Sequence, residues 1–143
     1  MVFATNTVVM RTGIKLFLAS AALLLCLTAK AVSDSYDVFV PISKYLASGD
    51  ADSLSAWFAD NLEISIMSST NDSSRSQAKQ ILKSFFASHT PRSFEINHTA
   101  SRSNSKYALG YLNAGGELFE VTIFVSKVKD RYTIQQLKID RLR

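Results

Sequence analysis

The hydrophobic and polar positions between Ser74 and His89 follow the period of an α-helix. Ser74 and Gln77 have the spacing of a capping box, in which each side chain bonds the other residue's backbone N–H. Burial of two phenylalanines on this helix would contribute about 1.5 to 3 kcal/mol each. We therefore expect the helix to form the centre of the core. Its apolar residues recur every three or four positions along one face: Ala78, Ile81, Leu82, Phe85 and Phe86.

Two shorter helices are predicted before this core helix. Residues 38–46 carry apolar side chains at helical spacing, Pro41 falls in the first turn, and Ser48–Asp50 end the segment. Either Asp50 or Asp52 then has the position of an N-cap for a second short helix. Three side chains of this second helix are expected on one face: Leu54, Trp57 and Phe58.

Strands are predicted on both sides of the core helix. Residues 62–66 alternate between apolar and polar, and the polar run Met67–Ser73 predicts a loop. Thr90–Pro91 breaks the helical pattern, and short polar or glycine-bearing connections then separate four alternating runs. These runs predict an antiparallel meander: Phe94–Ala100, Tyr107–Asn113, Leu118–Val125 and Tyr132–Ile139.

The last predicted strand changes the parity of its apolar residues. Ile134 falls on one parity, whereas Leu137 and Ile139 fall on the other, which predicts a β-bulge near Gln135–Gln136. The fold class is therefore α+β, with two short helices, one strand, a long core helix and a four-stranded antiparallel meander. In the third run, four residues share one face: Phe119, Val121, Ile123 and Val125.

Residues 1–31 have the organisation of a secretory signal peptide. Arg11 and Lys15 form a short basic region, residues 16–28 are nearly all apolar, and Ala29–Ala31 has the small-x-small form of a cleavage site. Met10 would give a more ordinary start. Cys26 follows the large Leu25, whereas a lipidated cysteine follows a small residue, so we expect cleavage and export rather than lipidation. Residues 32–143 then form a single domain in the periplasm or outside the cell, without a transmembrane anchor.

Charge gives little support for a nucleic-acid partner. The formal charge of +4 falls to +1 once the three basic residues of the leader are removed, because the 12 acidic residues all remain. Lys127, Lys129 and Arg131 lie together in a predicted turn, not along a basic stripe with interleaved aromatic residues.

Several motifs resemble known proteins. The order of the elements is similar to that of the nuclear transport factor 2-like superfamily, and LSAWFADNLEI at residues 54–64 resembles its helix-to-strand entry. Segments 74–86, 91–94, 107–110 and 134–139 resemble a family of exported bacterial proteins, mostly from Bacteroidetes, that is known as a domain of unknown function. The resemblance covers Tyr36–Asp140. It implies a bent sheet wrapped as a cone around the long helix, but it carries over no catalytic residue.

His98 and Asp60 are candidates for chemistry inside such a cone. His98 shares strand parity with Phe94 and Ile96, so it is expected to point inward, where an imidazole could act as a base or a ligand. A satisfied or rim histidine explains the same pattern. Asp60 lies at the mouth position where enzymes of the superfamily often place polar groups, although a turn carboxylate is the simpler interpretation. No metal-ligand spacing joins His89 to His98 and the mature chain has no cysteine, so we expect neither a metal nor a cofactor.

Four aromatic residues are candidates for the lining of a ligand pocket. Tyr107 and Tyr111 lie on one strand face, where phenols could polarise a carbonyl as in an isomerase, although cross-strand packing is the preferred interpretation. Trp57 and Phe58 could line the same pocket, or simply belong to the core. The isomerase chemistry also needs a carboxylate base facing the phenols, and no buried acid can be identified.

Two functional hypotheses follow from these patterns. The first is a non-catalytic binding or interaction module of the bacterial cell envelope, which holds a small apolar ligand in the cone, binds an envelope protein or forms a homodimer through the sheet. The second is a cofactor-free lyase or isomerase that acts on a small apolar substrate. A cone filled by Phe85, Phe86 and Trp57 would favour the first hypothesis, whereas an inward titratable group with a polar partner would favour the second.

We predict that the chain is exported and cleaved after Ala31. N-terminal sequencing of the exported form should therefore begin at Val32, because the small-x-small site directly follows the apolar run. A mature protein that begins at Cys26, or one that keeps the whole apolar run in the membrane, would contradict this prediction.

Overall fold

The computed structural model describes residues 37–142; the expected leader, with Met10 and Cys26, lies outside them. The described elements belong to one unit, residues 38–143. None of the helices in the described range is long and apolar enough to span a bilayer. The elements follow in chain order as α1 (Phe39–Ser48), α2 (Ala51–Ser55), β1 (Phe58–Ile66), β2 (Ser69–Ser74), α3 (Arg75–Ser88), β3 (Pro91–Ser101), β4 (Ser105–Ala114), β5 (Glu117–Val128) and β6 (Arg131–Arg141).

The strands form one mixed sheet of six strands in the order β2-β1-β6-β5-β4-β3. Strands β3 to β6 pair antiparallel in sequence, as expected of a meander. The expected architecture was nevertheless incomplete, because β1 joins the meander by pairing parallel to β6, and β2 extends the sheet beyond β1. The sheet is therefore neither four-stranded nor purely antiparallel.

The segment expected to be a polar loop is instead a turn followed by a strand. Met67 and Ser68 have φ values of 50° and 71°, which is the pattern of a two-residue hairpin turn with positive φ at both positions. Strand β2 then pairs with β1 without a register shift, from Ser69 opposite Ile66 to Ser74 opposite Asn61. A strand at the edge of a sheet gains backbone hydrogen bonds without burying its side chains, so it can have a polar sequence. For this reason the sequence pattern did not identify β2 as a strand.

The second helix is shorter than predicted, and Trp57 and Phe58 are not on it. Asp50 caps the helix by accepting hydrogen bonds from the Ser53 hydroxyl at 2.7 Å and the Ser53 backbone N–H at 3.0 Å. These two bonds favour the charged carboxylate and hold the pKa of Asp50 below its usual value. Trp57 lies in the following turn, and Phe58 begins β1. The chain joins the sheet here because the Trp57 carbonyl accepts a hydrogen bond from the backbone N–H of Ile134 in β6 at 2.7 Å.

The core helix α3 is confirmed at its start and along its buried face. Ser74 and Gln77 form both hydrogen bonds of the capping box, each at 3.2 Å. Ala78, Leu82, Phe85 and Phe86 are buried, whereas Ile81 is half-buried. The Phe85 ring packs edge-on against Phe119 of β5 at a centroid distance of 5.2 Å. The helix therefore docks on the sheet through the predicted stripe.

One face of the sheet, here called the inner face, supplies the other side of this core. The β-bulge predicted in β6 is present: Phe124 pairs with Gln136 and Val125 with Ile134, so that Gln135 is the extra residue. The bulge allows residues of both parities in β6 to point inward. The buried inner-face residues of the last three strands are Ala108, Leu112, Ala114, Phe119, Val121, Ile123, Val125, Ile134, Leu137 and Ile139.

We predict that Phe86→Ala lowers the free energy of unfolding by about 3 to 5 kcal/mol, because it removes a buried ring and leaves a cavity. A urea titration measures the change. Val40→Ala on α1 is the control, since Val40 is 64% exposed and its truncation should change stability by less than about 0.5 kcal/mol. An unchanged urea midpoint for Phe86→Ala would contradict the docking of α3 described above.

Candidate functional site

The interior between the helices and the sheet is filled by side chains. Ile42 and Leu46 of α1, Leu82 of α3, and Phe58 and Phe119 of the sheet are each fully buried. The pockets that the structure shows within residues 37–142 are open grooves at the surface, of about 550 Å³ beside β2 and about 490 Å³ beside Met67. The core itself thus occupies the position at which a ligand in the cone was expected.

His98 points away from this interior, so the expected inward orientation is wrong. Ile96 pairs with Gly110, but His98 pairs with Leu109, which makes Asn97 an extra residue in β3. This bulge reverses the parity of the strand beyond Ile96. His98 is consequently exposed, and its ring lies 6.4 Å from the ring of Tyr107 on the opposite, outer face.

The histidine that does contact the core is His89, which the sequence analysis considered only for metal-ligand spacing to His98. Its ring stacks on Phe85 at 4.9 Å and meets Phe119 edge-on at 5.4 Å. Its Nδ1 is buried and has no hydrogen-bond partner among residues 37–142. The available signal was spacing, because His89 follows Phe85 by four positions and so continues the apolar stripe. The contacts of this ring within the described range are therefore packing contacts.

Tyr107 and Tyr111 share a strand face as predicted, but this face is outside the core. Tyr107 pairs with Phe124, and Tyr111 pairs with Glu120. Both tyrosines are half-buried, and neither packs against the hydrophobic core. The phenols therefore do not line an apolar cavity of the kind that isomerase chemistry requires.

The remaining three candidates lie at the start of β1 or directly before it, where they take part in packing and in contacts with α3. Phe58 is fully buried, and Trp57 is half-buried against the core. The Asp60 side chain is 93% exposed and accepts a hydrogen bond from Arg75 at 3.0 Å, while the Arg75 Nε donates to the Phe58 carbonyl at 3.2 Å. These contacts fasten the first turn of α3 to β1. The six candidates thus form two separate groups, one here and one on the outer face.

The outer face of the sheet carries a group of apolar side chains that the core does not use. Tyr107, Leu109 and Tyr111 follow one another along the outer face of β4, Phe124 of β5 lies opposite Tyr107, and all four are partly exposed. None of the four packs against the hydrophobic core, in contrast to partly buried residues of the inner face such as Phe94 and Ile96. No cluster of potential metal ligands occurs among the described residues.

Charged residues lie at both ends of these strands, but on different faces of the sheet. At one end of the outer face, Glu120 lies directly opposite Asp140, which is ion-paired with Lys138 at 3.4 Å, and Tyr111 separates Glu120 from Glu95. At the other end, two ammonium groups approach the Tyr132 ring, with Lys106 Nζ at 5.0 Å and Lys127 Nζ at 5.9 Å from its centroid. These three residues share the parity of the buried inner-face residues, and Tyr132 packs against the core, so this basic group does not belong to the outer face. The outer face therefore has an apolar centre with a group of carboxylates at one end.

Residues 39–140 match a family described as "Domain of unknown function (DUF4783)". The chain belongs to the DUF4783 family. A DUF4783 structure from Bacteroides uniformis is 25% identical, with a TM-score of 0.72, and the match covers 75% of this chain and 99% of that one. A second from Bacteroides ovatus is 23% identical, with a TM-score of 0.70 and coverage of 73% and 94%.

More distant solved structures are similar to the chain in fold. A nuclear transport factor 2-like protein of unknown function from Cytophaga hutchinsonii is 8% identical, with a TM-score of 0.55, and the match covers 74% of this chain and 88% of that one. The likeness at this identity is one of fold. No protein with a curated description matches the chain significantly.

We predict that His89→Phe leaves stability unchanged or raises it by about 1 kcal/mol, because a carbon replaces a buried nitrogen that has no partner. His98→Phe is the matched control at an exposed position and should leave the urea midpoint where it is. A fall of more than about 1 kcal/mol for His89→Phe alone would contradict a pure packing role for this ring.

Proposed function

We propose that this DUF4783 protein is an exported, non-catalytic interaction module of the bacterial cell envelope. The leader pattern of residues 1–31 supports export, and the family relationship to Bacteroides proteins is consistent with a bacterial envelope. The filled interior favours recognition by a surface over the alternatives of a ligand held in the cone and a lyase or isomerase. Catalysis in the cone would need an inward titratable group with a polar partner, whereas His98 is exposed and the Nδ1 of His89 has no partner among the described residues.

The outer face is the proposed interaction surface, and its apolar centre is the observation that carries the proposal. Aromatic and leucine side chains that lie partly exposed on a sheet, without a role in the core, are typical of binding surfaces. Tyr107, Tyr111, Leu109 and Phe124 meet this description. Tyrosine and phenylalanine also supply much contact area for little loss of side-chain entropy.

A second copy of the chain is the partner that we propose for this surface, in a homodimer through the sheet. With strands about 4.8 Å apart and about 3.3 Å per residue, the six-stranded face covers roughly 800 Å², which is about what one partner contributes to a stable interface. An envelope protein is the alternative partner.

We predict that Leu109→Lys combined with Phe124→Lys abolishes association and the biological role, because two buried charges would disrupt the apolar centre. Sedimentation velocity measures self-association, and complementation of a deletion strain under envelope stress measures the role. Val40→Lys is the control, since it adds a charge at an exposed apolar residue of α1. His98→Ala should keep both association and role.

Two outcomes would contradict this proposal. In the first, the double variant folds normally and complements the deletion as well as the wild type does, which would show that the outer face is not needed for function. In the second, His98→Ala by itself reproduces the deletion phenotype while the variant stays folded and exported. The enzyme or ligand-coordination hypothesis would then replace the interaction module.

A further inference from the structure

We propose that the free edge of β2 is a docking site for an extended peptide that carries a lysine or arginine opposite Asp72. The site is separate from the outer-face centre, which lies on β4 and β5, and it does not depend on the function proposed for that surface. The inference rests on the difference between the two edges of the sheet, on the groove beside β2 and on the charge of Asp72.

The two edge strands of the sheet differ in how they discourage pairing. Strand β3 begins with Pro91 and has two register shifts, and its exposed residues include the charged Arg92 and Glu95. Prolines, bulges and charges of this kind are the features by which proteins protect their sheet edges. Strand β2 has no proline and no register shift, and Asp72 is its single charged residue.

The unprotected edge of β2 presents backbone groups that suit a further strand. In an antiparallel pair, alternate residues direct their N–H and C=O groups to the neighbouring strand, and the residues between them direct theirs to the other side. Strand β2 pairs with β1 on one side only. About half of the backbone groups of Ser69–Ser74 therefore point to the free edge, where an extended peptide could pair with them.

A polar groove lies beside this edge, on the inner side of the sheet. Its volume is about 550 Å³, and it separates β2 from the first turns of α3. Asn71 and Ser73 line one wall, Ser76 and Gln80 line the other, and the half-buried Ile81 contributes an apolar contact. Hydroxyl and amide groups on both walls favour small polar side chains in a peptide that pairs with β2.

Asp72 determines the charge that such a peptide should carry. It lies directly opposite Glu63 of the neighbouring strand β1, and like charges in this position repel each other. Glu63 accepts a hydrogen bond from Gln136 at 2.8 Å, whereas no cation is paired with Asp72 among residues 37–142. A basic residue on the added strand, directly opposite Asp72, would offset this repulsion.

The same argument favours a peptide over a second copy of the chain at this edge. Two β2 strands could pair through a two-fold axis, but Ser69–Ser74 contains no lysine or arginine. A second copy would therefore bring another Asp72 to the site and no cation. Because side chains of a strand alternate between the two faces, the peptide should place small polar residues on either side of its basic residue.

The experiment uses three terminally blocked nine-residue peptides of alternating serine and threonine that differ only in a central lysine, alanine or glutamate. Each is titrated against the full chain, in the form recovered from the producing cells, by fluorescence polarisation and by hydrogen exchange of residues 69–74. We expect the lysine peptide to bind on the order of tenfold more tightly than the glutamate peptide and to slow exchange in this segment. Only every second N–H of the peptide points to β2. N-methylation of alternate peptide nitrogens should therefore abolish binding for one of the two possible sets of nitrogens and not for the other.

Asp72→Lys should reverse the preference, so that the glutamate peptide binds more tightly than the lysine peptide. Glu95→Lys, which changes an exposed carboxylate on the other edge strand, is the matched control and should leave the preference unchanged. The proposal fails if no peptide slows exchange of residues 69–74, or if Asp72→Lys behaves like Glu95→Lys. Protection of this segment that rises with protein concentration, without peptide, would identify a second copy as the occupant and would also overturn it.

Discussion

The packing of α3 against the inner face of the sheet is the interaction on which the rest of the structure depends. The contact between Phe85 and Phe119 joins the last turn of the helix to the first residues of β5, and His89 extends it beyond the end of the helix. The sheet buries its apolar residues only on this side. Helix and sheet fill each other's apolar face, so the space between them within residues 37–142 is occupied by side chains.

Sequence patterns predicted the parts of the fold in which buried apolar residues recur with the period of a helix or a strand. The bulge at Gln135 could be predicted because buried residues lie on both sides of it, so that the change of parity from Ile134 to Leu137 is visible. The bulge at Asn97 could not be predicted, because the strand beyond Ile96 is exposed and no buried apolar residue there shows the change of parity. The same physical effect therefore produced one correct prediction and one error, the orientation of His98.

Polar composition explains the other differences between prediction and structure. Strand β2 consists of serine, threonine, asparagine and aspartate, residues that are typical of loops, and only its backbone pairing with β1 identifies it as a strand. Neither the parallel pairing of β1 with β6 nor the apolar centre of the outer face could be inferred from periodicity. Both depend on which strands become neighbours, and that is decided by packing between residues far apart in the chain.

The position of β6 has a consequence for the order in which the molecule can be completed. It follows the other described strands in the chain, and yet it lies between β1 and β5, which are both synthesised before it. Until β6 is in place, β1 and β5 each present an open edge of unpaired backbone groups. A chain that stops before β6 would therefore lose more than one strand: it would have two additional unpaired sheet edges, which promote aggregation and proteolysis.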